Sequence, residues 1–219
     1  MQPKTKMLSK GCISVLTGCF LTVNLLGQST EKFLSKIYFQ AEAGVSTRSG
    51  LPAGFGLQAI TKNNWTGTVS YHTIDLEPKN LPRDYSAGTT IVFFIPIPQK
   101  KPSVDMKIIT FGLGRNHPLG KNTWLTTEGG ISFVKGKKIE FTKDSYSQST
   151  WIFIAGEIPS NYTYTRENET GVGAMLKADL HWAFASFVGL GAGVFTNINS
   201  IQSPVGFQLK LIVGRTGRK

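Results

Sequence analysis

Between Val172 and Phe184 every second residue is apolar. Val172, Ala174, Leu176, Ala178, Leu180, Trp182 and Phe184 alternate with Gly173, Met175, Lys177, Asp179, His181 and Ala183. Residues two apart share one face of an extended chain, whereas the faces of a helix repeat every three or four residues. The stretch therefore reads as a β-strand with one apolar and one mixed face. It is also long, at roughly twice the five or six residues of an ordinary globular strand.

Seven further segments carry or permit the same reading. They lie at 37–46, 53–61, 65–75, 104–114, 123–134, 187–196 and 204–214. In the first, Ile37, Phe39, Ala41, Ala43 and Val45 oppose Tyr38, Gln40, Glu42, Gly44 and Ser46. In the last, Val205, Phe207, Leu209, Leu211 and Val213 oppose Gly206, Gln208, Lys210 and Gly214. The segment at 104–114 is apolar on both faces around MKIITFGL, so its parity stays open. No helical pattern of comparable length competes.

The beginning of the chain has a different character. Lys4, Lys6 and Lys10 precede an uncharged, mainly apolar run over 11–27, followed by Gln-Ser-Thr. A basic start, an apolar core and small residues form the pattern of a cleaved export signal, here expected over 1–28. Leu16-Thr17-Gly18-Cys19 matches a lipidation box, but the apolar FLTVNLL follows it instead of a polar tether. Both cysteines, Cys12 and Cys19, fall in this segment. Residues 29–219 are then expected to be one domain without a disulfide scaffold. After the signal no apolar run reaches the roughly 18–20 residues of a membrane helix.

Alternation alone fits two kinds of barrel, which differ in the face that points outward. A soluble lipocalin-like barrel would turn the Val/Leu/Ala face inward around an apolar ligand. A membrane barrel would turn it toward lipid, where every backbone group must be paired and the sheet must close. Strand lengths near the 9–11 residues of a tilted membrane strand favour the second. So do the connections. Short links (KNN at 62–64, NHPLGKN at 116–122, and one or two residues near Ala185) alternate with longer ones, notably near 77–103 and 135–169. Trp65, Trp124, Trp182 and Phe187 stand beside the short links, as an interfacial aromatic girdle requires, although Trp124 has the parity of the polar face.

On these segments the chain resembles the small eight-stranded outer-membrane β-barrel family, the type that includes the OmpA transmembrane domain and OmpX. The likeness is one of pattern over 37–214. The leader's LLGQ also resembles exported proteins of Bacteroidetes. The last strand ends Leu211-Ile212-Val213, where family members commonly place an aromatic residue. The resemblance implies an all-β, antiparallel, eight-stranded up-and-down transmembrane barrel in a Gram-negative outer membrane. It would be a monomer in contact with membrane lipid and lipopolysaccharide.

Candidate functional residues fall into two groups. Glu42, His72, Glu128, Lys177, Asp179, His181 and Lys210 lie on the polar face, as a lumen-facing charged cluster that either packs the interior or lines a narrow ion path. Phe93, Phe94, Trp151 and Phe153 belong to the apolar loop stretches IVFFIPIP and WIFI. These are candidates for contact with a surface protein, a polysaccharide or a lipid-like ligand, or for hairpins extending the barrel. The net charge of +11 comes from dispersed Lys and Arg without a recognition motif, so no nucleic-acid partner is expected. His72, His117 and His181 sit in separate segments, and neither a nucleophile motif nor metal-ligand spacing is present. No catalytic residue, metal or cofactor is expected. The function readings are a structural or surface-interacting barrel, a small ion pore, or the lipocalin-like binder.

Overall fold

A computed structural model of the chain describes residues 33–143, 150–152 and 155–216. The expected export signal and the lipidation box lie outside the described residues. In chain order the strands are β1 (Leu34–Ser46), β2 (Leu51–Thr61), β3 (Trp65–Leu76), β4 (Thr89–Val92), β5 (Ile95–Pro98), β6 (Val104–Pro118), β7 (Thr123–Lys143), β8 (Thr150–Ile152), β9 (Ala155–Ile158), β10 (Tyr162–Ala183), β11 (Val188–Asn199) and β12 (Val205–Arg215).

Eight of these close into an antiparallel barrel in the order β1-β12-β11-β10-β7-β6-β3-β2. The seam joins the two ends of the barrel sequence, from Ile37 opposite Arg215 to Ser46 opposite Gly206. Closure pairs every strand on both edges within the barrel itself. The other four strands form a separate sheet in the order β5-β4-β9-β8. The eight expected segments map one for one onto the barrel strands.

Parity is set by what each face meets. Phe39, Leu57, Val69, Phe111, Ile131, Leu176, Leu190 and Leu209 all point outward and are exposed. Gln40, Gln58, Thr68, Thr110, Ser132, Lys177 and Gln208 point inward and are buried. An apolar exterior around a polar interior inverts a soluble barrel, so the lipocalin-like alternative is overturned. In β6 the residues Met106, Ile108 and Thr110 are inward, while Ile109, Phe111 and Leu113 are outward. The open parity of this segment has a simple cause: its inward residues help build an apolar plug inside the barrel.

The barrel has two dissimilar ends. Residues 62–64, 119–122 and 184–187 make short turns at one end, where β1 also begins and β12 ends. At the other end β7 and β10 continue as a paired arm, from Gly136 opposite Glu169 to Lys143 opposite Tyr162. This corrects the expected loop at 135–169, much of which is strand. Outside the apolar belt both faces of a hairpin can be polar, so period two loses its contrast while the ladder persists. The expected 116–122 link is likewise shorter, because β6 runs to Pro118.

Candidate functional site

The lumen is stacked in three layers. At the turn end Tyr38, Ile60, Trp124, Ala183 and Ile212 pack together. At the loop end Ile74, Leu76, Val104, Met106, Ile108, Val134 and Ile139 pack, with Phe141, Phe195 and Ile201 against them. Between the two lies the polar layer.

Two lysines and two carboxylates form the centre of that layer. Lys210 Nζ is 2.6 Å from Asp179 Oδ2 and 3.8 Å from Glu42. Lys177 Nζ is 3.4 Å from Glu42 Oε1 and 3.6 Å from Asp179. His72 Nε2 reaches Glu42 Oε2 at 3.1 Å. All four charged side chains are sealed from solvent, so each depends on the others for compensation. Glu128 stands apart, accepting hydrogen bonds from Gln58 Nε2, Thr66 and Thr68. His181 stacks on Trp124 with ring centroids 5.3 Å apart and meets Thr126 Oγ1 at 3.1 Å. The structure thus turns all seven charged-cluster candidates inward. It brings Glu42, His72, Lys177, Asp179 and Lys210 into contact, with Glu128 and His181 on separate partners. A cavity of about 20 Å³ remains beside His72 and Lys177. That is room for about one water molecule.

Of the expected girdle residues, Trp65, Trp182 and Phe187 are exposed on the outside at the turn end. The Arg115 guanidinium lies over the Trp65 ring at 4.0 Å, and Trp182 packs against Phe184 at 5.9 Å. Trp124 is not part of this ring. It points into the lumen with no exposed surface, and Lys36 Nζ caps its ring at 3.3 Å. Its even parity on β7, shared with Thr126 and Glu128, fixes that direction despite the neighbouring turn.

The second candidate lies beyond the loop end. Phe93 and Phe94 form the tip of the β4–β5 hairpin, and β4 pairs with β9 from Thr89 opposite Ile158 to Val92 opposite Ala155. Trp151 falls within β8, and Phe153 lies outside the described residues. A latch ties the segment that leads into this sheet to the arm. Asp84 accepts hydrogen bonds from Tyr162 Oη at 2.8 Å and Lys143 Nζ at 3.2 Å. Asn161 donates to the Asp84 carbonyl and accepts from Ser86 N. These bonds hold the Asp84 carboxyl below its ordinary range, Tyr162 contributing first and Lys143 second, and they hold Tyr162 and Lys143 above theirs. Sequence reasoning missed the latch.

No family model matches the chain, and no curated protein matches it. Among solved structures, the N-terminal β-barrel domain of Pseudomonas aeruginosa OprF is similar at 7% identity and a TM-score of 0.48, covering 83% of this chain and 98% of that one. Ail of Yersinia pestis, in complex with the heparin analogue sucrose octasulfate, is similar at 13% identity and a TM-score of 0.46, covering 84% and 99%. Neisserial surface protein A is similar at 11% identity and 0.46, covering 84% and 97%.

Proposed function

We propose that this chain is a monomeric outer-membrane barrel that carries a surface-interacting sheet on a rigid arm. It is a contact protein with no catalytic step. The observation that carries this reading is the folding of the two longest connections into one four-stranded sheet, latched to the arm through Asp84, Asn161 and Tyr162. Short turns on one side and structured extensions on the other follow the outer-membrane layout, with the sheet on the outside of the cell. The exposed apolar belt and the Trp65, Trp182 and Phe187 ring support the membrane setting.

A lysine pair supports contact with anionic lipid. Lys107 and Lys135 face each other directly across β6 and β7, both outward at the loop end of the belt. Like charges directly opposed destabilise a sheet. The phosphates of lipopolysaccharide at this level would offset the repulsion. The export signal expected over 1–28 belongs to the same reading.

The filled lumen favours a contact role over an ion pore, since apolar layers close it at both ends. The test is to express the chain on a non-adherent Gram-negative host and remove residues 89–98. The deletion should abolish adhesion to cells or partners while the barrel still shifts in mobility on boiling. Unchanged adhesion by the deleted protein would overturn the reading.

A further inference from the structure

Phe93 and Phe94 occupy positions that ordinarily repel such residues. They are the two central residues of a two-residue hairpin turn between Val92 and Ile95, with φ of 48° and 67°. Positive φ at both centres suits Asn-Gly, which enters that region readily, and strains bulky side chains. Both rings also project into solvent, at 71% and 84% exposure. Neither turn formation nor solubility is served by this choice. The surroundings extend the apolar tip. Ile95 and Ile97 are exposed, and residues 87–98 contain no charged side chain.

The edge of the hairpin narrows the choice of partner. β5 is the outer strand of its sheet. In an antiparallel hairpin with a two-residue turn, Val92 and Ile95 form a hydrogen-bonded pair, and so do Thr90 and Ile97. Gln99 N donating to Gly88 O at 2.8 Å continues the same alternation. Pro96 and Pro98 therefore take the positions whose nitrogens point away from β4, toward the free edge. Proline has no N–H, so β5 presents no outward donor. Such an edge cannot template an added strand. The Pro96 and Pro98 carbonyls still face that edge and need water or head-group partners, so the apolar tip of Phe93, Phe94 and Ile95 is the part that suits hydrocarbon. The tip is also too small for a standard protein interface of about 20–30 residues a side.

We infer that the β4–β5 hairpin is a membrane-insertion tip, which drives Phe93, Phe94 and Ile95 into the bilayer of an apposed membrane. This rests on the outer-membrane contact reading above. The arm sets the apposed bilayer as the target. From Gly136 opposite Glu169 to Lys143 opposite Tyr162 it spans about 23 Å of extended chain, and the sheet joins its far end through residues 159–161.

The test uses the full mature chain in nanodiscs, floated with protein-free phosphatidylcholine vesicles at moderate and high salt. The wild type should float with the vesicles at both salt concentrations. Phe93→Asn combined with Phe94→Gly installs the favoured turn residues, so the hairpin should fold at least as well, as heat-modifiable migration would show. Vesicle-bound protein should nevertheless fall about tenfold for each phenylalanine removed. Equal flotation of wild type and variant would overturn the insertion tip. So would a wild type that stays with the nanodiscs. If that same wild type still adheres to cells and loses adhesion on removal of 89–98, the contact role stands and the partner is not a bilayer.

Discussion

Lys210 reaches Asp179 at 2.6 Å across a strand that lies between them. Asp179 is on β10, Lys210 is on β12, and the intervening β11 contributes Gly191 and Gly193 at the paired positions. The contact is possible because those two residues place no side chain in the lumen. The ion pair and the glycines are one device, and each can be tested.

Removing one partner should be far worse than removing both. Asp179→Ala leaves Lys210 and Lys177 buried around a lone Glu42, and should destabilise the barrel by about 3–5 kcal/mol. Asp179→Leu combined with Lys210→Met should recover most of that loss. Urea unfolding from lipid vesicles measures both, and an unchanged midpoint for Asp179→Ala would contradict the buried network.

A side chain at Gly193 would collide with Asp179 Oδ1 and with the backbone carbonyl of Ala178. Gly193→Val should cost about 1–3 kcal/mol through overpacking. Gly120, in an open turn with nothing near its absent Cβ, should accept alanine with an unchanged unfolding midpoint. Equal tolerance at both sites would contradict the packing of the lumen.

The belt predicts a dependence on depth. Leu209 lies midway along β12 and Val205 at its loop end, both outward. In a bilayer Leu209→Arg should cost about 2–4 kcal/mol, and Val205→Arg about 0–1 kcal/mol. Similar small costs at both positions, measured by unfolding from vesicles, would argue against lipid around the belt.

The latch has a pH signature. A carboxyl whose folded pKa is depressed stabilises the folded form above its unfolded pKa, and that contribution is lost as pH falls through the folded value. Asp84 ordinarily titrates near 3.8 and is held lower here, first by Tyr162. The latch should therefore stay closed at neutral pH and loosen in acid below that point. Carboxyl carbon NMR should give a midpoint under 3.8, and Tyr162→Phe should raise it toward that value. Identical midpoints would mean that the tyrosine hydrogen bond does not form.

The barrel was legible because an apolar exterior on one side and a packed lumen on the other impose period two, as from Val172 to Phe184. Glu42, Lys177, Asp179 and Lys210 could be placed inward by parity alone, but their pairing depends on strand order around the barrel. The same holds for Glu128, whose donors Gln58, Thr66 and Thr68 come from β2 and β3 across the lumen. Trp124 misled because an aromatic beside a turn suits a girdle and a plug equally. The arm was invisible because Lys135, Lys137, Lys138, Lys143, Glu167 and Glu169 break up its alternation, and the apolar face that Ile139, Phe141 and Tyr164 form there covers only a few residues.

A closed barrel with its apolar face outward belongs in lipid. Gel migration of the chain extracted from outer membranes, with and without boiling, tests it most directly. Recovery in the outer-membrane fraction and a shift in mobility after boiling are expected. A chain recovered soluble from the periplasm, with the same mobility before and after boiling, would contradict it.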